Sequence, residues 1–311
     1  MVACTAQETT SDLTEITVVL DWTPNTNHTG LYVAQSLGYY EEAGLDVTII
    51  QPPEDGASVL VASNSAQFGV SCQDSLAATY LSDSPLPVTT VATIIQHNTS
   101  GILSLAGNGM DTPSGMEGKT YATWDMPVEK AMIRDIVESD GGNFDEITLV
   151  PSTVTDVITA LQTDIDAVWI YYAWDGVAAE VQGIETDYLD FGEILPEFDF
   201  YTPVIIASDE FLASNPEQAK AFLSATAKGY EYSIENSDEA AGILLEAAPE
   251  LDSDLVYASQ EYLATRYKAE VEQWGYIDTA RWDGFFNWLV ENELAEGEMT
   301  SGLGFTNEFL S

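Results

Sequence analysis

A dense group of polar and aromatic residues follows the first apolar run of the chain. Ile16 to Trp22 is apolar and β-branched, which predicts a buried strand, and Leu31 to Leu37 predicts the helix that follows. Four residues with stacking or hydrogen-bonding side chains lie at this junction: Trp22, Asn25, Asn27 and His28. Ligands of open α/β sheets bind beyond the carboxyl ends of the strands, so we expect these residues to contribute to a pocket. Asn25 and Asn27 also suit a turn and a helix cap, which is the competing interpretation.

Nine further residues are candidates for the same pocket, because they end or follow runs that predict strands. Those expected on the first of two domains are Gln73, Gln96, His97 and Asn98, and those expected on the second are Trp124, Tyr171, Tyr172, Trp174 and Asp175. Aromatic faces stack on a flat heterocycle, while amide, imidazole and carboxyl groups bond its edge. An aminopyrimidine has a donor amine and acceptor ring nitrogens, which a carboxylate such as Asp175 beside a carboxamide such as Asn25 would match. The thiazolium of thiamine would also face Tyr or Trp rings favourably.

Four of these candidates have competing structural interpretations. Tyr171 and Tyr172 alternate on a predicted strand, so one of them is expected to point into the core. Asp175 lies where a helix begins and suits an N-cap. Trp124 lies at a strand-to-helix junction, where it lines the pocket or covers a hinge.

Strands and helices alternate along most of the chain, which predicts two α/β domains. The first is expected to be parallel, and a connection rich in Gly and turn formers, Gly107 to Gly118, precedes the second. Thr202 to Ala207 predicts a strand that returns to the first domain, before an almost wholly helical C-terminal part. Chain crossings between the domains are predicted near Gly101 to Leu105 and near Tyr201 to Val204. Two crossings allow the domains to close on a ligand about a hinge.

The charge balance of the chain is strongly acidic. Its 311 residues contain 8 Lys plus Arg against 52 Asp plus Glu, a formal net charge of -44. Nucleic acid and anionic membrane surfaces repel such a chain, so neither is expected as a partner. No cationic residue lies in the loops predicted to form the pocket, which favours a neutral or cationic ligand, although helix N-termini remain available to bind an anion.

Several segments resemble the ThiY-type substrate-binding proteins of ABC importers, which take up the pyrimidine precursor of thiamine and are related to the yeast thiamine-pyrimidine synthases. The strongest likeness is in LDWTPNTNHTGLYVA and GYYEEAGLDV, and it continues in QPPEDGASVLVASNSAQFGVSCQDSLA, IIQHNTSG and AVWIYYAWDG. NPEQAKAFLSATAKGYEYSIENSDEAAGILLEAAPEL is also typical, so the resemblance covers nearly the whole chain. It is more specific for this group of binding proteins than for one ligand.

The resemblance implies a type II periplasmic-binding-protein fold, with two α/β lobes joined by a two-strand hinge and a ligand cleft between them. On this basis we expect residues 1–14 to be a flexible tether, residues 15–104 with 204–311 to form lobe 1, and residues 105–203 to form lobe 2. The expected function is extracytoplasmic delivery of a thiamine-related pyrimidine to an ABC permease by a monomer without cofactor or metal. Formylaminopyrimidine, hydroxymethylpyrimidine and thiamine are the candidate ligands, and riboflavin or an anion such as a sulfonate is the alternative.

Two cysteines are too few for a disulfide framework, and one of them, Cys4, bears on where the protein is located. Val2, Ala3 and Cys4 precede a polar stretch and resemble the cleavage region of a bacterial lipoprotein, which predicts lipidation of Cys4 and anchoring on the outer face of the cytoplasmic membrane. A free cysteine in an N-terminal tail is the competing interpretation. Cys72 lies in an apolar run and suits a small buried residue.

An enzyme is the third hypothesis for this chain. The related synthases, as the resemblance implies, use a cysteine-rich iron site and consume their own histidine and a bound cofactor. This chain has only Cys4, Cys72, His28 and His97, and it has no phosphate-binding loop, dinucleotide fingerprint or nucleophile elbow. We therefore expect no catalysis, with a pyrimidine-processing enzyme as the lower-ranked alternative.

Overall fold

The computed structural model describes residues 13–54, 56–295 and 297–310. The predicted lipidation site at Cys4 and nearly all of the predicted tether lie outside these ranges. Among the described residues, no helix has the length and apolar character needed to cross a membrane.

Ten strands are formed by the described residues. In chain order they are β1 (Thr14–Val19), β2 (Leu45–Ile50), β3 (Phe68–Ser71), β4 (Val88–Thr93), β5 (Ser100–Leu105), β6 (Thr120–Thr123), β7 (Thr148–Pro151), β8 (Ala167–Tyr171), β9 (Thr186–Asp190) and β10 (Val204–Ser208).

The α-helices of the described residues surround these strands. They are α1 (Thr29–Ser36), α2 (Tyr39–Glu42), α3 (Ala57–Ala62), α4 (Gln73–Tyr80), α5 (Pro127–Ser139), α6 (Val157–Leu161), α7 (Val177–Val181), α8 (Phe191–Ile194), α9 (Asp209–Ser214), α10 (Pro216–Glu235), α11 (Ser237–Ala247), α12 (Ser253–Ala264) and α13 (Thr279–Glu291).

The first sheet has the strand order β2-β1-β3-β10-β4. β1 pairs in parallel with β2, in a register that runs from Thr14 opposite Leu45 to Val19 opposite Ile50, and it also pairs in parallel with β3. β10 is antiparallel to both β3 and β4. The prediction of a strand returning to the first domain agrees with this sheet, but the prediction of a parallel domain is wrong for β10, because the chain re-enters the sheet from the opposite end.

The second sheet has the strand order β7-β6-β8-β5-β9. β6 is parallel to β7 and β8, whereas β5 is antiparallel to β8 and β9. The sequence predicts a crossing between domains near Gly101 to Leu105, and its pattern does not predict β9. Pairing places β5 within the second sheet, so the boundary proposed at residue 104 lies inside this strand. The remaining division into lobes stays a prediction.

Residues 94–99 lead from the first sheet to the second, and residues 191–203 lead back. Apolar side chains fill the space around both sheets and continue into the C-terminal part of the chain, where Trp274, between α12 and α13, and Trp282, in α13, are completely buried. Within α13, the Trp288 indole contacts Phe198 of the returning connection, with ring centroids 4.9 Å apart, and donates to Asp135 of α5 at 2.7 Å. Helix α13 therefore packs against the connection 191–203 and against α5 beside the second sheet, as well as against the first sheet.

Candidate functional site

The candidate site lies between the two sheets, where several strands end. Tyr171 ends β8 of the second sheet, whereas Asp21 and Cys72 follow β1 and β3 of the first. Burial raises the pKa of Tyr171, and the charges of Cys72, Asp74 and Asp21 raise it further. Ala173, two residues beyond Tyr171, packs among apolar side chains of the first sheet, so this end of β8 lies against the first sheet.

A cavity of about 130 Å³ opens at the second-sheet side of this cleft. Trp124 and Trp169 contribute its aromatic surface, with ring centroids 5.5 Å apart and planes tilted by 45°. Tyr171 and Asp175 contribute its polar groups. Trp124 is 45% exposed and Trp22, on the first-sheet side, is 69% exposed, so both indole faces are available to a ligand.

The loop that carries Trp124 is held by a buried carboxylate. Glu129, on the first turn of α5, accepts hydrogen bonds from the Tyr121 hydroxyl at 2.7 Å, the Thr123 hydroxyl at 2.9 Å and the Trp124 amide at 3.1 Å. The next residue, Asp125, has a φ of 66°, a backbone conformation that residues other than glycine rarely adopt. Backbone strain of this kind occurs where a site fixes the loop geometry, which is consistent with a positioned aromatic platform.

His28 lies beneath the cleft rather than on its surface. The side chain is completely buried, and Nδ1 accepts the Asn25 amide at 3.2 Å. This bond leaves the proton on Nε2, which lies 2.7 Å from Oδ1 of Asp21 and donates to it. His28 therefore orients the Asp21 carboxylate, and a direct ligand contact is not supported by its position.

Asn25 and Asn27 differ in their surroundings. Asn25 caps the 3-10 turn Thr26–His28, since its side chain accepts from the Asn27 amide at 2.9 Å. The capping interpretation thus describes Asn25. The Asn27 side-chain oxygen is buried and has no hydrogen-bond partner in the described part of the chain, so it remains a candidate contact.

Gln73 and Asn98 are committed to the backbone. Gln73 donates to the Trp282 carbonyl and accepts from the Tyr201 amide. Asn98 donates to the Phe198 carbonyl and accepts from the Ser100 amide. These groups hold the connections between the sheets together, and no amide group is left to face a ligand. Gln96 donates to the Tyr276 carbonyl, while its side-chain oxygen is buried without a partner among the described residues.

Tyr172 and Trp174 turn away from the cavity. Tyr172 packs between Tyr188 and Tyr262, at centroid distances of 4.7 and 5.3 Å. Trp174 packs against apolar residues of α11 and α12. Tyr171 lines the cavity, whereas Tyr172 is only partly buried, so the expectation that one of the two points into the core stays a prediction.

His97 belongs to a charged cluster at the connection between the sheets. Its Nδ1 lies 2.7 Å from Asp199, and its Nε2 lies 2.8 Å from Glu270. Arg281 interacts with the same two carboxylates. The hydrogen bond to Asp199 is the largest cause of a raised His97 pKa. His97 therefore links the connections 94–99 and 191–203 to the C-terminal part of the chain.

Replacing His97 with Asn is expected to lower the melting temperature more at pH 6 than at pH 9. Because the folded-state pKa of His97 is raised, its stabilisation is complete below the unfolded-state pKa and is lost as the pH rises through the folded-state value. Arg134→Gln is the matched control, since Arg134 also contacts two carboxylates, Glu138 and Asp145, but does not titrate in this range. An equal loss at both pH values for His97→Asn would contradict the assignment.

Asp175 is a partly buried carboxyl beside the cavity. Burial is the largest cause that raises its pKa, to about 6. Its neutral form is therefore favoured by folding, and the free energy of unfolding is expected to fall as the pH rises through 6.

Asp175→Asn is accordingly expected to raise the free energy of unfolding at pH 7.5 by about 1–3 kcal/mol and to change it little at pH 4. Chemical denaturation at the two pH values measures this difference. Asp156→Asn is expected to have the opposite sign at pH 7.5, because Asp156 caps α6 and its pKa is lowered by the Thr159 amide. Stabilisation of equal size at both pH values would show that desolvated charge is not the cause.

Asp21 and Trp169 are not among the site residues predicted from the sequence, and Cys72 is predicted only as a buried residue. Asp21 falls inside the run predicted as a strand, although β1 ends at Val19. Two cations also lie nearer the site than predicted, since Lys130 pairs with Asp125 and Arg281 pairs with Asp199. Both charges are matched by carboxylates.

No group of three or more His, Cys, Asp and Glu side chains with metal-binding geometry occurs in residues 13–54, 56–295 and 297–310.

Comparison with known proteins places the chain in a defined sequence group. A family model described as NMT1/THI5 like matches residues 25–240. A formylaminopyrimidine-binding protein of Halalkalibacterium halodurans is 28% identical over 305 residues, covering 95% of this chain and 90% of the relative. A 4-amino-5-hydroxymethyl-2-methylpyrimidine phosphate synthase of Saccharomyces cerevisiae is 27% identical over 264 residues, covering 78% of this chain and 74% of the relative.

Solved structures confirm the fold. A putative periplasmic sulfonate-binding protein of an ABC transporter from Methylobacillus flagellatus matches with a TM-score of 0.70 at 14% identity, covering 96% of this chain and 93% of that one. The periplasmic aliphatic sulphonate binding protein of Escherichia coli matches with a TM-score of 0.69 at 15% identity, covering 90% and 88%. The two mixed sheets and their helices form the periplasmic-binding-protein fold predicted from the sequence.

Proposed function

Because this chain belongs to the NMT1/THI5-like family, we propose that it is an extracytoplasmic solute-binding protein that delivers a thiamine-related pyrimidine to an ABC permease. The cavity at the second-sheet side of the cleft carries this proposal, since it combines the exposed face of the Trp124 indole with the Asp175 carboxyl group. An aminopyrimidine is flat and has N–H donors on its edge. Similarity to a formylaminopyrimidine-binding protein along 95% of the chain supports the same ligand class.

The proposed contacts are fewer than the candidates predicted from the sequence. They are Trp22, Asn27, Trp124, Tyr171 and Asp175. Indole faces of the two tryptophans stack on the ring from opposite sides, and Tyr171 and Asp175 bond its edge. The other predicted residues position these contacts or hold the connections between the sheets, and lobe closure about residues 94–99 and 191–203 brings the two sides together.

Thermal unfolding against a panel of solutes tests the proposal. A ligand that binds only the folded state raises the melting temperature by mass action, by an amount that grows with its concentration. The panel contains formylaminopyrimidine, hydroxymethylpyrimidine, thiamine, riboflavin and an alkanesulfonate. We expect the melting temperature to rise with one or more of the first three solutes and not with the other two. A rise with riboflavin or the sulfonate alone would replace the ligand assignment and leave solute binding in place.

Synthase activity is a second candidate, because relatives that are 27% identical have a synthase name. Two features disfavour it. Cys72 is the free cysteine of the described residues, and the two ring nitrogens of His28 are both engaged within the protein. Incubation with added ferrous iron, followed by mass spectrometry of the released small molecules, is expected to yield no new pyrimidine. Formation of pyrimidine product would support the synthase.

A further inference from the structure

A second cavity, of about 440 Å³, adjoins the cavity beside Trp124. Thr155, Val157 and Asp175 line both cavities, so the two share one wall. The rest of the lining of the second cavity comes from α6, α7 and the residues next to these helices. Space for a ligand therefore continues from the aromatic surface of the site, past Asp175, to the groove between α6 and α7.

The first cavity is small for a whole ligand. Its volume is about 130 Å³, whereas pockets that bind small molecules usually measure about 300–1,000 Å³. The second cavity, at about 440 Å³, lies within this range. A ligand whose flat ring contacts Trp124 and Tyr171 therefore has room for a second group beyond Asp175.

The residues that line the second cavity favour a positively charged group. Asp156 and Asp175 contribute carboxyl groups, whereas Gln162 and Gln182 contribute neutral amides. Among the described residues that line the two cavities, none is Lys, Arg or His. A cation is attracted by both carboxylates, whereas a sulfonate or another anion is repelled.

The two carboxyl groups differ in their surroundings. Asp156 accepts hydrogen bonds from the Thr159 amide at 2.9 Å and from the Thr159 hydroxyl at 2.7 Å, and the bond from the amide is the largest cause of its lowered pKa. Asp156 is therefore ionised and fixed in orientation at neutral pH. Asp175 lies on the shared wall, where burial disfavours its charged form, and a cation beside it would offset that cost.

We infer that the binding site continues past Asp175 into the cavity between α6 and α7, and that this extension takes a positively charged substituent of the stacked ring. This inference rests on the proposed function and narrows its ligand class to pyrimidines with a second, cationic part. Thiamine has this form, because its thiazolium ring is attached to the pyrimidine through one methylene group.

Calorimetric titration with three probes tests the extension. The probes are thiamine, its neutral analogue deazathiamine, in which carbon replaces the charged ring nitrogen, and 4-amino-5-hydroxymethyl-2-methylpyrimidine, which has no second ring. We expect the unmodified protein to bind thiamine about tenfold or more tighter than either of the other probes, because two carboxylates line the cavity that takes the second ring.

Ala178→Phe is the variant that tests where the second ring lies. Ala178 is a half-buried residue of α7 that lines the second cavity and not the first, so a phenyl ring there would fill the extension. We expect thiamine to bind about tenfold or more weakly and the affinity for hydroxymethylpyrimidine to change by less than about twofold. Val181→Phe is the matched control, since Val181 is exposed on the same helix and lines neither cavity. It is expected to leave both affinities unchanged.

Gln182→Lys provides a second variant if Ala178→Phe does not fold. It places a positive charge on the lining of the second cavity, and we expect it to weaken thiamine binding by about threefold or more while deazathiamine binding changes less. Val181→Lys adds the same charge to the chain outside the cavity and is expected to retain thiamine affinity.

The outcomes separate this inference from the proposed function. Equal affinities of the unmodified protein for thiamine and deazathiamine, or binding of hydroxymethylpyrimidine without thiamine, overturn the extension while pyrimidine binding stands. Folded Ala178→Phe overturns it in the same way if thiamine affinity is unchanged or if both pyrimidines lose affinity equally. If that variant does not fold, unchanged thiamine affinity in Gln182→Lys overturns it. Absence of binding by all three probes also overturns the extension, and the proposed function fails with it if formylaminopyrimidine does not bind either.

Discussion

Replacing Gly229 with Ala is expected to lower the free energy of unfolding by about 2–3 kcal/mol or more. Gly229 lies on α10 where that helix crosses α1. A Cβ atom at this position would lie 2.0 Å from the Gly30 carbonyl oxygen and 3.0 Å from Ala34. The nearest of these atoms is backbone, so relief requires the two helices to separate.

Separation of α1 from α10 would also affect the candidate site. The Tyr230 hydroxyl donates to the Asn27 carbonyl at 2.7 Å, and its ring stacks on Trp274 with centroids 4.4 Å apart. The segment held in this way contains His28, which orients Asp21. We therefore expect weaker ligand binding in Gly229→Ala at temperatures where the variant is still folded.

Gly284→Ala is the matched control for this substitution. Gly284 lies on α13, and a Cβ atom there would have nothing within 4 Å. Alanine is the better helix former, so this variant is expected to gain about 0.5–1 kcal/mol. Chemical denaturation of both variants measures the contrast. Equal changes in the two free energies of unfolding would contradict close helix packing at Gly229.

Replacing Trp124 with Ala is expected to weaken pyrimidine binding by about 10–100-fold, the range for loss of one aromatic ring that stacks on a base. The side chain is 45% exposed and lines the cavity, so most of its stacking surface is available to a ligand. The melting temperature without ligand is expected to change less, because Trp169 remains beneath it. Calorimetry and thermal unfolding provide the two readouts.

Tyr257→Ala is the control for Trp124→Ala. Tyr257 is 43% exposed on α12, so loss of its ring also removes an exposed aromatic surface. It does not line the cavity, and its substitution is expected to leave affinity unchanged. Similar affinities for the two variants would show that the Trp124 face is not a stacking surface.

Much of the fold is predictable because apolar periodicity is strong in the buried strands. The apolar run from Leu45 to Ile50 predicts a strand, and β2 has these limits in the structure. Gly38 after the helical run predicts a left-handed helix end, and its φ is 76°. β9 has a polar sequence, TDYLD, and pairs only with β5 at the sheet edge, so no apolar pattern marks it. The direction of β10 depends on how the chain returns, which local sequence does not encode.

The candidate site is less predictable, because residue type does not distinguish a ligand contact from a group that supports one. His28 is a polar residue at the expected junction, yet its ring is buried and bonded on both nitrogens. Gln73 and Asn98 bond to backbone groups that come from distant parts of the chain. Conversely, Trp169 lines the cavity from within β8, where an apolar pattern predicts only a core residue.

Titration calorimetry of the purified chain with formylaminopyrimidine, alongside an alkanesulfonate under the same conditions, is the most direct measurement of the central claim. Saturable binding of the pyrimidine with one site per chain, and no heat of binding from the sulfonate, is the predicted result. Saturable binding of the sulfonate without binding of the pyrimidine would contradict the account, because it would require an anion site where the cleft has carboxylates.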